Sequence, residues 1–300
     1  MILPFVSVII PVFNDTARLR QCLAALAQQT YPADRVEVIV IDNGSTEPIT
    51  ASIGDLPHLV IEHEPRPGGS RARVTGMARA RGELLAFTDA DCLPAPDWLQ
   101  RGVARFTETP SCGAVGGRIE MFADGESSPS VATSLSLATH LRQDRFVAGG
   151  WAVCANLFTA RAVIDAVGAM NPALLSSGET EWCHRVRQAG YAIVFAPDAV
   201  VRHPARSSIP SLIRRAIRLE FAWRQLQQHA PIGRGVGFWV RQHLVWPLRD
   251  VVRDVLGNAR LSLGRRARMA ALALLLMVIR IVAWVGLRLG ITYDVRSRWG

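Results

Sequence analysis

Short apolar runs alternate with helical patterns over residues 6–88. Runs typical of buried strands occur at Val6–Ile10, Val36–Ile41, Leu59–Glu62 and Leu84–Thr88. Between them, Thr16–Gln29 and Ser70–Ala80 carry apolar residues at helical spacing. This β-α-β-β-α-β order predicts an α/β fold with a largely parallel sheet and right-handed crossovers.

The pattern continues to about residue 203 with further strands and helices. Asp97 is placed to cap a helix that reaches Phe106, and Phe122–Pro129 has the composition of a loop. The remaining predicted elements are strands at Ala114–Ile119, Ala152–Phe158, Ala192–Phe195 and Ala199–Arg202, and a helix at Thr180–Ala189.

The pattern changes near Pro204, which predicts two regions, 1–205 and 206–300. Ser211–Gln228 is an amphipathic, arginine-rich helix, and 235–256 stays apolar and basic. Met269–Leu287 is apolar except for Arg280. Its Leu, Ile and Val residues contribute about −0.3 to −0.6 kcal/mol each to insertion, against about +2.5 to +3.5 kcal/mol for a central Arg. Hydropathy therefore leaves open a single membrane span, an in-plane anchor and a buried helix.

Charge divides the chain in the same way. Residues 1–200 hold 16 basic and 21 acidic residues, whereas 201–300 hold 18 basic and 4 acidic residues. An acidic body with a basic, apolar tail argues against a nucleic-acid partner and favours an anionic membrane surface. A peripheral or single-span protein on the cytoplasmic face of the cell membrane is expected.

Arginine and cysteine usage narrows the chemistry. All 34 basic residues are arginine, which excludes Schiff-base chemistry and a Walker-type lysine. The five cysteines form no CxxC pair, so neither a zinc site nor a disulfide framework is indicated. The N-terminus lacks the features of a signal peptide and reads as a first strand.

The apolar run Leu84–Thr88 ends abruptly at Asp89-Ala90-Asp91. Ligands of open α/β sheets bind at the carboxyl ends of strands. Two carboxylates at that position are suitable ligands for Mg²⁺ or Mn²⁺. Asp is also common in turns, so this tripeptide alone fits a polar turn equally well.

Three more polar clusters follow predicted strands or open a helix. They are Pro11-Val12-Phe13-Asn14, Asp42-Asn43-Gly44-Ser45-Thr46 and Gly178-Glu179-Thr180-Glu181. Asp42 can accept a hydrogen bond from a nucleobase, although Asn43-Gly44 is also an ordinary turn.

Taken in order, these segments resemble the inverting family 2 glycosyltransferases of the GT-A fold. The resemblance rests on VSVIIPVFN at 6–14, VIVIDNGST at 38–46, GGSRARVTGMARARGELLAFTDAD at 68–91 and GETEWCHRVRQAGYAIVFAPDAVVRH at 178–203. It implies a Rossmann-like, mostly parallel mixed sheet flanked by helices, followed here by a basic and apolar helical tail. Each motif is weak alone, but the ordered set is specific.

The resemblance also implies roles for individual residues. Asp89, Asp91 and His203 would hold Mg²⁺ or Mn²⁺. The residues implied to bind a nucleotide-sugar donor are Pro11, Val12, Phe13, Asn14, Asp42, Arg73 and Asp89. Arg73 would lie near the donor phosphates, although a solvated helix face is the alternative. His203 is open to a purely structural role.

The acid-rich helix departs from the family pattern. The family usually has Glu-Asp, with the Asp as general base six residues before an Arg; here that position is Glu179 before Arg185. Glu179 is therefore the expected base, and Glu181 is the second candidate. Trp151 and Trp182 are candidates for an acceptor site, with core packing as the alternative.

The expected activity is hexosyl or deoxyhexosyl transfer from a nucleotide-diphosphate sugar to a hydroxyl of a glycan or lipid-linked acceptor, as in cell-envelope polysaccharide. The alternative is a catalytically silent protein that binds a nucleotide sugar or a glycan. It is considered because Glu179 stands where the family usually has Asp. A nucleotidyltransferase would be expected to have a glycine-rich loop after the first strand, where this chain has Pro-Val-Phe-Asn-Asp. A membrane-scaffolding protein would account for the basic, apolar tail but not for the acidic residues at the ends of the predicted strands.

Overall fold

The computed structural model describes residues 3–47, 49, 56, 58–230, 232 and 235–291. They fall into two compact units. The described residues of Met1–Glu120 and Arg142–His203 form the first unit, and those of Met121–Leu141 and Pro204–Trp299 form the second. The second unit thus includes residues 121–141, which lie within the region 1–205 predicted from the sequence.

A mixed sheet of eight strands, counted over the described residues, runs through the chain. The strands are β1 (Val6–Val12), β2 (Val36–Asp42), β3 (Leu59–His63), β4 (Leu84–Thr88), β5 (Leu93–Pro94), β6 (Cys112–Phe122), β7 (Asn156–Ala160) and β8 (Ala192–Pro204). Their order is β3-β2-β1-β4-β7-β6-β8-β5. Strands β1 to β4 pair in parallel, whereas β7 pairs antiparallel with β4 and β6, and β5 pairs antiparallel with β8.

The described residues also form helices. They are α1 (Thr16–Leu26), α2 (Gly69–Arg79), α3 (Trp98–Glu108), α4 (Val131–Thr139), α5 (Gln143–Ala148), α6 (Arg161–Val167), α7 (Gly178–Gln188), α8 (Ile209–His229), α9 (Val236–Val240), α10 (Trp246–Asp250) and α11 (Leu263–Arg288). Short π-helical segments, Arg241–Val245 and Val251–Leu256, precede and follow α10. The predicted β-α-β-β-α-β order is confirmed.

Three local predictions need correction. The strand predicted at Ala152–Phe158 begins only at Asn156. The two strands predicted after residue 191 form one, β8, because Pro197 is exposed and does not interrupt it. Asp97 occupies the N-cap of α3, but its side chain does not cap the helix and instead accepts a hydrogen bond from Arg101 Nε at 2.9 Å.

Alternate residues of the central strands pack into two separate apolar clusters. Val8 and Ile10 belong to one cluster, whereas Ile9 belongs to the other together with Leu85 and Phe87. Side chains of a strand alternate between the two faces of a sheet. Both faces of β1 and β4 are therefore covered, which explains why their sequences are continuously apolar.

The close approach of α3 to the sheet provides a stability test. A Cβ added at Gly102 would overlap the ring of Phe158, which is fully buried. We expect Gly102→Ala to destabilise the protein by about 1–3 kcal/mol because a packed core cannot absorb the extra methyl group.

Thermal unfolding checks this prediction. Gly264→Ala in α11 is the matched control, since a Cβ there meets no atom within 4 Å outside its own stretch of helix. The control should have an unchanged or slightly higher melting temperature. An unchanged melting temperature for Gly102→Ala would contradict the packing described above.

The second unit consists of helices around its own apolar cluster. Leu135 of α4, Leu212 of α8, and Met269 and Leu272 of α11 are buried together there. Among the described helices, α11 alone has the length and apolar composition needed to cross a membrane.

Candidate active site

Asp89, Asp91 and His203 meet at the carboxyl end of β4. One ligand atom from each of these side chains, and one from Cys92, all lie within 4.8 Å of one another. Asp89 and Asp91 follow β4 directly. The antiparallel pairing of Leu93 with Arg202 brings the end of β8 to the same loop. His203 Nε2 consequently lies 3.6 Å from Asp91 Oδ1.

The chemistry of this cluster fits a divalent cation. Two carboxylates and an imidazole are a common donor set for Mn²⁺, and carboxylates also suit Mg²⁺. Burial raises the pKa of Asp91; the charge on His203 opposes this shift, and that on Asp89 adds to it. A bound cation would relieve the cost of holding these two carboxylates together. The predicted set of Asp89, Asp91 and His203 is thus brought together.

Cys92 does not fit such a site as a ligand. Its thiol is fully buried, and burial raises its pKa well above the usual value, with the charges on Asp91 and Asp89 raising it further. A protonated thiol is a poor ligand for a hard cation. Cys92 directly follows Asp91 in the sequence, but its side chain belongs to the apolar core.

Arg73 reaches the same cluster from α2. Its Nη2 donates to Asp89 Oδ1 at 2.6 Å, and its side chain is 13% exposed. Its Nε is buried and has no hydrogen-bond partner among the described residues. Burial alone would lower the pKa of Arg73, but Cys154, Asp89 and Glu179 together raise it above its usual value. Arg73 therefore lies inside the site rather than on a solvated helix face.

The loops after β1 and β2 are tied to each other. Asn14 Oδ1 accepts a hydrogen bond from the Thr46 amide at 2.8 Å, and the Asn14 amide donates to Ser45 Oγ at 3.0 Å. Asp42 Oδ1 accepts from the Ser45 amide at 2.9 Å, and its Oδ2 lies 3.5 Å from His63 Nδ1. These bonds hold two of the predicted donor-binding segments together.

The residues Pro11, Val12 and Phe13 differ in how accessible their side chains are to a sugar-nucleotide donor. Val12 is buried in the core, so a donor could contact only its backbone. Pro11 and Phe13 are half-buried, and the Asn14 side chain is occupied by the neighbouring loop.

Asn43 organises this region, a role that its place in an Asn-Gly turn did not predict. Its Nδ2 donates to the carbonyl oxygens of Glu64 at 2.9 Å and Arg66 at 2.8 Å, and its Oδ1 accepts from the Gly68 amide at 2.9 Å. Asn43 thereby fixes the segment that leads into α2. The turn itself is also present, since Gly44 has a φ of +84°.

The two acids at the start of α7 have different environments. Glu181 is buried and accepts hydrogen bonds from Arg185 Nε at 2.7 Å and Nη2 at 2.9 Å. Arg185 also donates to the carbonyl oxygen of Ala169, so Glu181 belongs to a structural network. Glu179 is half-buried, and its charge acts on Arg73 in the site. Glu181 is thus held in place by Arg185, whereas Glu179 is the acid whose charge acts on Arg73.

The two tryptophans also differ. Trp182 is fully buried, and its Nε1 donates to the carbonyl oxygen of Gly168 at 2.9 Å. The prediction that Trp182 lines an acceptor site is therefore wrong, because the indole packs in the core. Trp151 is half-buried and stacks on Phe146 with ring centroids 4.2 Å apart. Its role toward an acceptor stays a prediction.

The Glu64 carboxylate, beside the proposed donor-binding loops, should make the stability of the fold depend on pH. Hydrogen bonds from Arg66, together with one from Thr75, lower the pKa of the buried Glu64 to about 2 despite its burial. A carboxylate with a lowered pKa stabilises the fold above its unfolded pKa and loses that contribution as the pH falls.

We expect Glu64→Gln to be less stable than the wild type at pH 7. Urea unfolding of both proteins should show the difference in full above about pH 4.5, and it should shrink as the pH falls toward about 2. A difference that stays constant over this range would contradict the assigned ion pair. Glu62→Gln is the control, since that carboxylate is 37% exposed.

The chain is similar in sequence to known glycosyltransferases. Residues 7–161 match the family described as Glycosyl transferase family 2. The chain is 37% identical over 210 residues to the glycosyltransferase AglE of Haloferax volcanii, covering 68% of each chain. It is 27% identical over 223 residues to a pre-mycofactocin glycosyltransferase of Mycobacterium tuberculosis, covering 70% of this chain and 45% of that protein.

Solved structures share the fold. A mannosyltransferase from Pyrobaculum calidifontis, in complex with GDP-Man and Mn²⁺, superposes with a TM-score of 0.63 at 23% identity, covering 95% of this chain and 87% of that one. GalNAc-T7 with UDP, GalNAc and Mn²⁺ gives a TM-score of 0.54 at 18% identity, covering 73% and 48%. The expected GT-A fold is confirmed.

Proposed function

Because the chain belongs to glycosyl transferase family 2, we propose that it is a metal-dependent, inverting glycosyltransferase that uses a nucleotide-diphosphate sugar. One observation carries the proposal: Asp89, Asp91 and His203 meet at the end of β4, with Arg73 bonded to Asp89. Two structural neighbours hold Mn²⁺ with a sugar nucleotide, or with a nucleotide and a sugar, which supports this assignment.

Donor binding would use the loops at the carboxyl ends of β1, β2 and β4. Asp42 is proposed to accept a hydrogen bond from the nucleobase, beside the backbone of Pro11–Asn14. Arg73 is proposed to hold the donor phosphates. The buried Nε–H of Arg73 has no hydrogen-bond partner among the described residues. A buried N–H group is costly to leave unpaired, so a phosphate oxygen that accepts its hydrogen bond would be favourable.

The leaving group is a nucleoside diphosphate, and its departure builds negative charge on the bridging oxygen. A divalent cation held by Asp89, Asp91 and His203 would offset that charge. Arg73 adds a fixed positive charge next to the same carboxylates. A guanidinium in a partly water-excluded site stabilises such charge more strongly than it would in bulk water.

The attacking hydroxyl of the acceptor needs a proton acceptor, because its own pKa is high. Glu179 is proposed to take this proton as the new glycosidic bond forms. The carboxylate replaces the usual Asp with one methylene more, and α7 carries it to the site where its charge acts on Arg73. Attack from the face opposite the leaving diphosphate inverts the anomeric carbon.

The acceptor is proposed to be a glycan or lipid-linked hydroxyl at the cytoplasmic face of the membrane. The support is the basic, apolar second unit, in which α11 exposes a long apolar surface. The transferred sugar is proposed to be a hexose or a deoxyhexose.

Thermal unfolding with a panel of sugar nucleotides, with and without Mn²⁺, tests the proposal. A ligand that binds only the folded state raises the melting temperature by mass action. We expect one donor to do so in a Mn²⁺-dependent way and then to be turned over, with release of the nucleoside diphosphate. Binding without any turnover across a panel of acceptors would instead support a silent binding protein, and equal shifts in EDTA would contradict the metal site.

A further inference from the structure

Helix α11 exposes one apolar face along most of its length. The exposed apolar residues recur every three or four positions at Leu274, Leu275, Val278, Val282 and Val285, and this set is named the α11 stripe. Contiguous exposed apolar surface of this kind marks a protein or membrane contact. Residues at this spacing lie on one side of a helix, so the stripe forms a single face rather than a ring.

The opposite face of α11 is tied to its own unit at three points. Near its beginning, Arg265 Nη2 donates to Ser134 Oγ of α4 at 2.7 Å. In the middle, Arg280 Nε donates to Glu220 Oε1 of α8 at 2.6 Å. At its end, Leu287 O accepts a hydrogen bond from Arg224 of α8. The helix is thus held to α4 and α8 from end to end.

The central tie involves a buried carboxylate. The Glu220 side chain is fully buried and also lies 2.8 Å from His243 Nε2. A buried carboxylate that loses its charged partner is strongly unfavourable. Arg280 therefore keeps α11 on α8. Arg280 is also the charge that hydropathy alone counted as a cost of insertion.

Helix α8 cannot follow α11 into the hydrocarbon core. It carries Arg214, Arg215, Arg218 and Arg224 along its length. Charged side chains inside the bilayer are costly and rare. The 26 residues of α11 are long enough to span, but crossing would require α11 to break its ties or to take these arginines with it.

The same unit exposes a second set of apolar residues. It comprises Val245, Trp246, Leu248, Val252 and Leu256, on and around α10. Five exposed arginines lie in the same stretch of sequence, at Arg241, Arg249, Arg253, Arg260 and Arg268. Apolar strips with Trp and flanking arginines are typical of helices that lie in the interface of an anionic membrane.

We propose that α11 lies in the plane of an anionic bilayer, with the α11 stripe inserted into one leaflet, and does not cross it. This inference rests on the membrane association in the proposed function. The partner is a lipid surface that carries anionic phospholipid headgroups. Both ends of α11 then face the same side of the membrane.

Cysteine labelling decides between the in-plane and the spanning arrangement. The five native cysteines are all buried, so a maleimide should label them little. Labelling of a variant therefore comes mainly from the introduced cysteine. Leu263→Cys and Leu289→Cys place single thiols at the two exposed ends of α11. In sealed inside-out membrane vesicles, a membrane-impermeant maleimide should label both variants. Labelling of one end in inside-out vesicles and of the other only in intact cells would overturn the inference.

Flotation with vesicles tests the membrane association separately. The purified full chain should float with vesicles of phosphatidylcholine and phosphatidylglycerol, and more weakly with phosphatidylcholine alone. Val282→Asp should weaken this binding about tenfold or more, whereas Gln228→Asp, an exposed change on α8, should have little effect. Failure of the wild type to float would overturn the membrane association itself. Flotation with oppositely facing helix ends would overturn only the in-plane arrangement.

Discussion

Asp91→Asn should lower kcat/KM for the sugar nucleotide by about 10²–10³-fold, because it removes a charge from the proposed cation site. Asp91 lies 3.6 Å from His203 and beside Asp89, so the amide would keep the shape of the loop while removing one anionic ligand. Steady-state kinetics at several Mn²⁺ concentrations would measure the loss. Higher Mn²⁺ should restore part of the activity, since the remaining ligands still bind the cation weakly.

Asp97→Asn is the matched control for this variant. It makes the same chemical change a few residues away, where the side chain is 40% exposed and pairs only with Arg101 among the contacts described. We expect it to leave kcat/KM within about twofold of the wild type because a surface ion pair contributes little. Equal activity of Asp91→Asn and Asp97→Asn would remove Asp91 from the catalytic machinery.

Glu179→Gln should lower kcat by about 10²–10⁴-fold with little change in donor affinity, because the variant cannot accept the proton of the attacking hydroxyl. The pH dependence separates this role from a structural one. The wild type should lose kcat at low pH as its base becomes protonated, whereas the residual activity of Glu179→Gln should lack that dependence. Product formation from the identified donor and acceptor is the measurement.

Two further variants make this prediction specific. Glu179→Asp restores the carboxylate usual in the family and should keep much more activity than Glu179→Gln. Glu181→Gln weakens the bonds to Arg185 and should lower the melting temperature, while the folded protein keeps its pH profile. If Glu179→Gln turns over as fast as the wild type, the base lies elsewhere.

Much of the first unit could be predicted from the sequence because its strands are buried on both faces. Such strands appear as uninterrupted apolar runs, so the end of Leu84–Thr88 located Asp89 directly. His203 required the family resemblance, since only the pairing of β5 with β8 brings it to Asp91. A single histidine in a sequence carries no sign of that pairing.

The failures share one cause, which is that local patterns do not report tertiary partners. Trp182 lies three residues after the proposed base in the sequence, but its indole packs in the core. Asn43 appeared to be an ordinary turn residue, although its amide joins three backbone groups. Arg280 appeared only as a cost of membrane insertion, but it pairs with Glu220, 60 residues away in the sequence.

The second unit was less predictable for the same reason. Its helices were expected from their periodicity, and α8 and α11 are confirmed with modest shifts of their ends. The hydropathy of α11 does not indicate which of its faces is buried, because the residues that pack on it lie on α4 and α8. Long-range packing, not composition, determines that arrangement.

Mn²⁺ binding followed by electron paramagnetic resonance tests the central claim most directly. Free Mn²⁺ gives a strong signal that disappears when the ion is bound. In the presence of a nucleoside diphosphate, the wild type should bind one Mn²⁺ per chain, and Asp91→Asn should bind it at least about tenfold more weakly. Binding of equal strength by the wild type and Asp91→Asn would contradict a cation site at Asp89, Asp91 and His203.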